Sequence, residues 1–165
     1  MEHRKATVQD IPAMIAIRKQ QLIDEGIQPA VCIDRELDSF FRRMLDKDDL
    51  VQWILEDDGK IVATSAVCFY AYPPSYTNPT GLIAYITNMY THPDYRRQGI
   101  GRRMLHLAVS QAAERGVRVV RLGASVLGRP VYEKYGFKQE TQWLCLRLAE
   151  NGDCTPESFL EPVAE

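Results

Sequence analysis

The stretch Asn88-Met89-Tyr90-Thr91-His92-Pro93-Asp94-Tyr95-Arg96-Arg97-Gln98-Gly99-Ile100-Gly101-Arg102-Arg103-Met104-Leu105 changes character twice. Its opening continues a β-branched and aromatic run from Leu82, so residues 82–91 read as a strand. Its end leads into Leu105, Ala108, Val109 and Ala112, which recur at helical spacing across residues 101–115. Between the two lie a proline, two glycines and four arginines, with no acid from Tyr95 to Arg103. A strand-to-helix junction leaves backbone N–H groups unpaired at the positive end of the helix dipole. Glycine lets the main chain approach a ligand closely and reach positive φ. This predicts an anion cradle, most naturally for phosphates.

Three patterns compete for the cradle. A dinucleotide-binding GxGxxG needs glycine where Met104 stands. A P-loop is approached by Gly123-Ala124-Ser125-Val126-Leu127-Gly128, but Arg129-Pro130 follows in place of Lys and Ser or Thr. The third pattern, Arg/Gln-x-x-Gly-x-Gly/Ala, is met by Arg96, Gly99 and Gly101. The plain alternative is a tight turn with solvated arginines.

Working outward, residues 3–6 read as a short strand. Thr7-Val8-Gln9-Asp10 has capping-box spacing, and Ile11, Met14, Ile15, Arg18 and Leu22 follow as a helix that Gly26 and Pro29 end. A second helix starts near Asp34, with Leu37, Phe40, Phe41, Met44 and Leu45 on one stripe. Residues 50–56 and 61–70 read as a hairpin about Asp57-Asp58-Gly59. Residues 117–122 read as a strand, 130–135 as a short helix and 138–148 as a last strand. The order β-α-α-β-β-β-α-β-α-β predicts one mixed α/β domain over residues 1–148. Its sheet is mostly antiparallel, flanked by helices, with one parallel pair set by the β-α-β unit. Residues 149–165, with five acids and no base, read as an acidic tail of weak order.

The 165 residues suffice for one domain, and 45% apolar with 25% charged residues match a globular chain. A net charge of −2, and four arginines confined to one turn, argue against nucleic acid as a partner. The N-terminus has no apolar signal region and no run is long enough to span a bilayer, so the expectation is a cytoplasmic protein with no membrane partner. Cys32, Cys68, Cys145 and Cys154 are scattered, as are His3, His92 and His106, so neither a disulfide framework nor a metal site is expected.

A second motif follows the next strand: Leu122-Gly123-Ala124-Ser125-Val126-Leu127-Gly128-Arg129-Pro130-Val131-Tyr132-Glu133-Lys134-Tyr135-Gly136-Phe137. With it, the sequence resembles the GNAT superfamily of acyl-CoA-dependent N-acetyltransferases, in element order as well as in both motifs, over about residues 3–148. The resemblance implies a GNAT-like fold in which the strands at residues 85–91 and 119–122 splay apart to admit acetyl-CoA. It implies that backbone groups of Met89, Tyr90 and Thr91 run beside the pantetheine arm. The amides of Arg97, Gln98, Gly99, Ile100, Gly101 and Arg102 would hold the pyrophosphate, with Arg96, Arg97 and Arg102 as candidate side-chain contacts.

The implied reaction is attack of a neutral primary amine, on a small molecule or peptide, at the thioester. By resemblance the Met89 amide is the candidate donor to the tetrahedral oxyanion, and Tyr132 the candidate general acid for the leaving thiolate. Reference pKa values of about 10 and about 8.5 make that proton transfer uphill by roughly 2 kcal/mol. Tyr135, one turn on, reads as packing. Some relatives carry a glutamate where Tyr85 stands here, so no general base is evident; Thr87 and Asn88 are polar but not basic. Asp24, Glu25 and Asp34, near the segment that forms the acceptor site in relatives, are candidate substrate-binding acids, with solvated helix ends as the alternative. His92 reads as a loop residue. The missing carboxylate leaves a second class open, a catalytically silent acyl-CoA-binding sensor or structural module. Family habit allows a homodimer.

Overall fold

The computed structural model describes residues 1–140. Five strands, β1 (Glu2–Lys5), β2 (Leu50–Asp57), β3 (Lys60–Ala71), β4 (Leu82–Thr91) and β5 (Val119–Leu122), form one sheet in that order. Every neighbouring pair is antiparallel except β4 and β5, which are parallel. Four helices complete the described fold: α1 (Ile11–Asp24), α2 (Asp34–Asp46), α3 (Ile100–Glu114) and α4 (Arg129–Tyr135). None is long and apolar enough to cross a membrane.

Burial along β3 is continuous from Val62 to Phe69, because both faces of the sheet are covered. Successive side chains still alternate. Ala66 and Cys68 pack with Ile11, Met14, Phe41 and Met44 of α1 and α2. Val67 and Phe69 pack with Leu105, Ala108 and Ala112 of α3. The helix pair and the crossover helix therefore sandwich the sheet, leaving the ends of β4 and β5 between them.

Local chemistry explains the joints. The Thr7 N–H donates to Asp10 Oδ2 at 2.7 Å, as the capping-box spacing predicts, over a 3-10 turn that runs into α1. Asp10 also accepts from Arg4 at 2.8 and 2.9 Å, and Arg4 reaches Glu56 at 2.7 Å, tying β1, β2 and α1 together. The guanidinium holds the Asp10 carboxyl well below the usual carboxylate range. The β2–β3 turn has positive φ at Asp58 (46°) and Gly59 (71°), the type I′ geometry that matches strand twist. At Gly81 a Cβ would lie 2.0 Å from the Tyr72 carbonyl oxygen, so only glycine can close the β3–β4 connection.

Two boundaries differ by more than one residue from the sequence reading. β5 starts at Val119 because Gly116 (φ 71°) ends α3 and the Val117 N–H returns to the Ala112 carbonyl at 3.1 Å, closing the helix instead of joining the strand. Residues 138–140, read as the start of a last strand, have no regular structure. The remainder of that strand and the acidic tail over residues 149–165 lie outside the described residues, as do Cys145 and Cys154.

Candidate active site

Pairing of β4 with β5 runs from Ile83–Val119 to Ile86–Leu122 and stops. β4 continues to Thr91, whereas the chain after Leu122 turns away towards α4. The two parallel strands thus part at their C-terminal ends, as the resemblance implies. A cavity of about 360 Å³ opens there, lined by Thr87 and Met89 on one side and Gly123, Ser125 and Tyr132 on the other. Arg18 and Gln21 of α1, with its C-cap residue Glu25, form its third wall. A larger hollow, about 1020 Å³, runs along β5 to residues 136–140, directly before the end of the described residues.

Along β4 the ladder breaks once. Thr87 pairs with Ala66 and Tyr90 with Thr64, so Asn88 and Met89 together oppose Ser65. This is a β-bulge, which leaves one residue out of the ladder and re-aims its backbone. Asn88 takes it up with φ 49°, a left-handed value that asparagine tolerates better than most residues. Its amide donates to Gln52 Oε1 at 2.9 Å, and its carbonyl accepts from Thr64 Oγ1 at 2.7 Å; all three side chains are buried. The sequence reading passed over Gln52 and Thr64. Met89, at the bulge, is among the residues that line the cavity.

The junction between β4 and α3 has the form expected of an anion cradle. Arg97 (φ 61°) and Gly99 (φ 78°) both have left-handed backbone, and Gly99 caps α3, which begins at Ile100. A Cβ built on Gly99 meets nothing within 4 Å, so space lies open beside the main chain at the helix N-terminus. The four arginines divide. Arg96 Nε donates to the Thr91 carbonyl at 2.9 Å and its guanidinium pairs with Asp24. Arg103 contacts His3 Nδ1 at 2.8 Å. Arg97 and Arg102 have no side-chain partner among the described residues and stand available to an anion. A glycine-capped helix start with two uncommitted guanidinium groups fits a pyrophosphate.

Tyr132 sits on α4 with 7% of its surface exposed. It packs edge-on to Phe137, and a Cβ on Gly128 would come within 3.0 Å of its hydroxyl oxygen, so Gly128 makes room for the ring. Burial first, then the charge of Glu25 and the neighbouring Tyr85, push its hydroxyl up to about 12. Tyr135 is a packing residue, as read: its hydroxyl meets His106 Nδ1 at 2.9 Å. His92 belongs to the loop, its ring accepting the Asp94 N–H at 3.4 Å.

The three candidate acids also divide. Gln20, donating at 2.8 Å, and the Arg96 guanidinium hold the Asp24 carboxyl below its ordinary value. Lys19 does the same for Asp34, at 2.8 Å. Glu25 alone lines the cavity. Among the described residues no group of three or more His, Cys, Asp or Glu side chains could hold a metal ion.

This fold recurs in known proteins. An acetyltransferase (GNAT) domain model matches residues 48–139, more than half of the chain. A crystal structure of a predicted acetyltransferase with acetyl-CoA, from Clostridium acetobutylicum, is 49% identical with a TM-score of 0.87, and the overlap covers 88% of this chain and 95% of that one. At 23% identity and a TM-score of 0.81, a GCN5-related N-acetyltransferase from Ralstonia eutropha JMP134 shares the fold over 88% of this chain and 97% of its own. Glucosamine-6-phosphate N-acetyltransferase from Arabidopsis thaliana shares it at 21% identity and 0.69, over 90% and 98%. No curated protein sequence matches. The domain match, which spans the parted strands and the β4–α3 junction, and the 49% identical relative decide the family: the chain belongs to the GNAT acetyltransferases.

Proposed function

We propose that the chain is an acetyl-CoA-dependent N-acetyltransferase, in which a primary amine attacks the thioester directly. The observation that carries this reading is the cavity at the parting of β4 and β5, where the Met89 bulge faces Tyr132 and the β4 end leads into the cradle. Bound acetyl-CoA supplies the activated acetyl group. Its pyrophosphate fits the amides of Arg97, Gln98, Gly99, Ile100, Gly101 and Arg102, with the Arg97 and Arg102 side chains as charge partners. Arg96 acts in this reading as a tether to α1. Met89, Tyr90 and Thr91 offer main-chain groups along the arm, in the manner of strand addition. The Met89 amide is the fixed donor for negative charge developing on the carbonyl oxygen.

The role of Tyr132 follows from its burial. With its hydroxyl pushed up to about 12, full transfer of its proton to a thiolate of pKa about 8.5 would be uphill by roughly 5 kcal/mol. Tyr132 therefore serves as a hydrogen-bond donor that stays protonated while the sulfur gathers charge, and the proton that the acylated nitrogen releases ends on the departing thiolate. This refines the sequence reading, which set the gap from an unperturbed tyrosine.

The test is twofold. Acetyl-CoA at a hundredfold excess over its Kd should stabilise the fold by about 2.7 kcal/mol, read as a rise in Tm. Amines should then release free thiol in step with acetylated product. An unmoved Tm with the protein folded would remove the acetyl-CoA assignment. Binding without thiol release, over a broad amine panel, would favour a silent acyl-CoA-binding module.

A further inference from the structure

Two side chains of α1, Arg18 and Gln21, and that of its C-cap residue Glu25 line the cavity at helical spacing. Gln21 is the buried one, 7% exposed, and both ends of its amide are used. Its Oε1 accepts from Arg18 Nη1 at 3.2 Å, and its Nε2 donates to Glu25 Oε1 at 3.0 Å. One fixed amide thus holds a guanidinium and a carboxylate beside each other without letting them pair. The second Glu25 oxygen and the remaining Arg18 N–H groups have no partner among the described residues.

We propose that this wall is the acceptor subsite and takes a small amine that carries an anionic group, with its ammonium on Glu25 and its anion, carboxylate or phosphate, on Arg18. The assignment rests on the N-acetyltransfer reading and adds the class of acceptor to it.

Three observations support it. The neighbouring charges are already committed, Asp24 to Arg96 and Gln20, and Lys19 to Asp34, so Arg18 and Glu25 are the charges that α1 presents to the cavity. Glu25 caps the C-terminus of α1, the negative end of the helix dipole, where a carboxylate is unfavourable and a bound cation is welcome. Its presence there is a cost to the helix that an ammonium would offset. Glu25 is also among the groups that push the Tyr132 hydroxyl up, which puts its charge within electrical reach of the reacting end of the cavity. An amine with no second charge leaves Arg18 unmatched, and a polycation meets a guanidinium where it needs a carboxylate. Glu25 is assigned binding and orientation of the amine: the bound ammonium gives one proton to solvent before its nitrogen attacks, and Glu25 itself transfers none.

The experiment measures thiol release by the full chain with acetyl-CoA and matched acceptors: the common amino acids against their carboxamides, and phosphoethanolamine against ethanolamine. The anionic member of at least one pair should be preferred tenfold or more in kcat/KM, and the two arms tell carboxylate from phosphate. Arg18→Gln should abolish that preference. Glu25→Gln should raise the acceptor KM tenfold or more for both members, with the acetyl-CoA Kd, read by calorimetry, unchanged. Equal use of charged and neutral members by the unmutated protein, or transfer confined to polyamines such as spermidine, overturns the inference and leaves acetyl transfer standing. An unchanged acceptor KM in Glu25→Gln overturns it too. Failure of every amine to release thiol, despite acetyl-CoA binding, defeats the transfer reading and this inference with it.

Discussion

The cradle between β4 and α3 and the wall of α1 that faces it are built in opposite ways. The cradle comes from one contiguous segment, Arg96 to Arg102, and offers main-chain amides at a helix start that Gly99 caps at φ 78°. The α1 wall, with Tyr132 across the cavity, offers side chains that come together only in the fold. A ligand read by main chain needs backbone freedom at a few positions, and most side chains around it can vary. A ligand read by side chains depends on each of them and on what holds them. The first arrangement suits a donor common to many enzymes; the second suits an acceptor that differs from one to the next.

That contrast ranks the expected effects. Tyr132→Phe removes one hydroxyl at the side-chain-built end, and kcat should fall roughly 10²–10³-fold with acetyl-CoA affinity little changed. Tyr135→Phe, whose hydroxyl goes to His106, should keep the wild-type rate; equal rates in all three proteins would take Tyr132 out of the reaction. Gly128→Ala drives a methyl against the Tyr132 ring and should cost roughly tenfold to a hundredfold in kcat, again without loss of acetyl-CoA binding. A change in affinity instead of rate would mean that α4 serves the cradle. Arg102→Gln should raise the acetyl-CoA Kd by about tenfold at low salt and by less at high salt, since an exposed charge is screened.

Smallest of these should be Asp24→Asn, which cuts the bridge between α1 and Arg96, a partly exposed pair worth little in itself. A two- to threefold change in acetyl-CoA Kd is expected. Because the Asp24 carboxyl is held below its ordinary 3.8, the bridge is intact at neutral pH. Its contribution should be full above about pH 4 and fade as pH falls through the lowered value.

The same contrast explains what could be read from the residues alone. Glycine spacing, the arginine cluster and strand and helix periodicity are local, and they brought β4, α3 and the cradle into view. The β-bulge is not local. It depends on Asn88 meeting Gln52 and Thr64, which are 36 and 24 residues away in sequence. Counting arginines could not say that Arg96 and Arg103 are committed to Asp24 and His3 while Arg97 and Arg102 are not, because both partners lie in the N-terminal quarter of the chain. Three acids near α1 looked alike in sequence, and only neighbours contributed by other turns of the chain separate Glu25 from Asp24 and Asp34. Tyr132 was legible from its motif, but the upward push on its hydroxyl was not, since burial is a property of the packed core.

The central claim is that main chain at the start of α3 binds acetyl-CoA, and Gly99→Val addresses it most directly. Valine brings a branched side chain into the space left open beside Gly99 and resists φ 78°, with a strain of about 1–2 kcal/mol that a domain of this size tolerates. Calorimetric titration should give micromolar acetyl-CoA binding to the unmutated chain. The variant, folded by circular dichroism, should bind at least 10²-fold more weakly. Equal affinity in the two proteins would contradict the account, because it would mean that the cradle is only a turn.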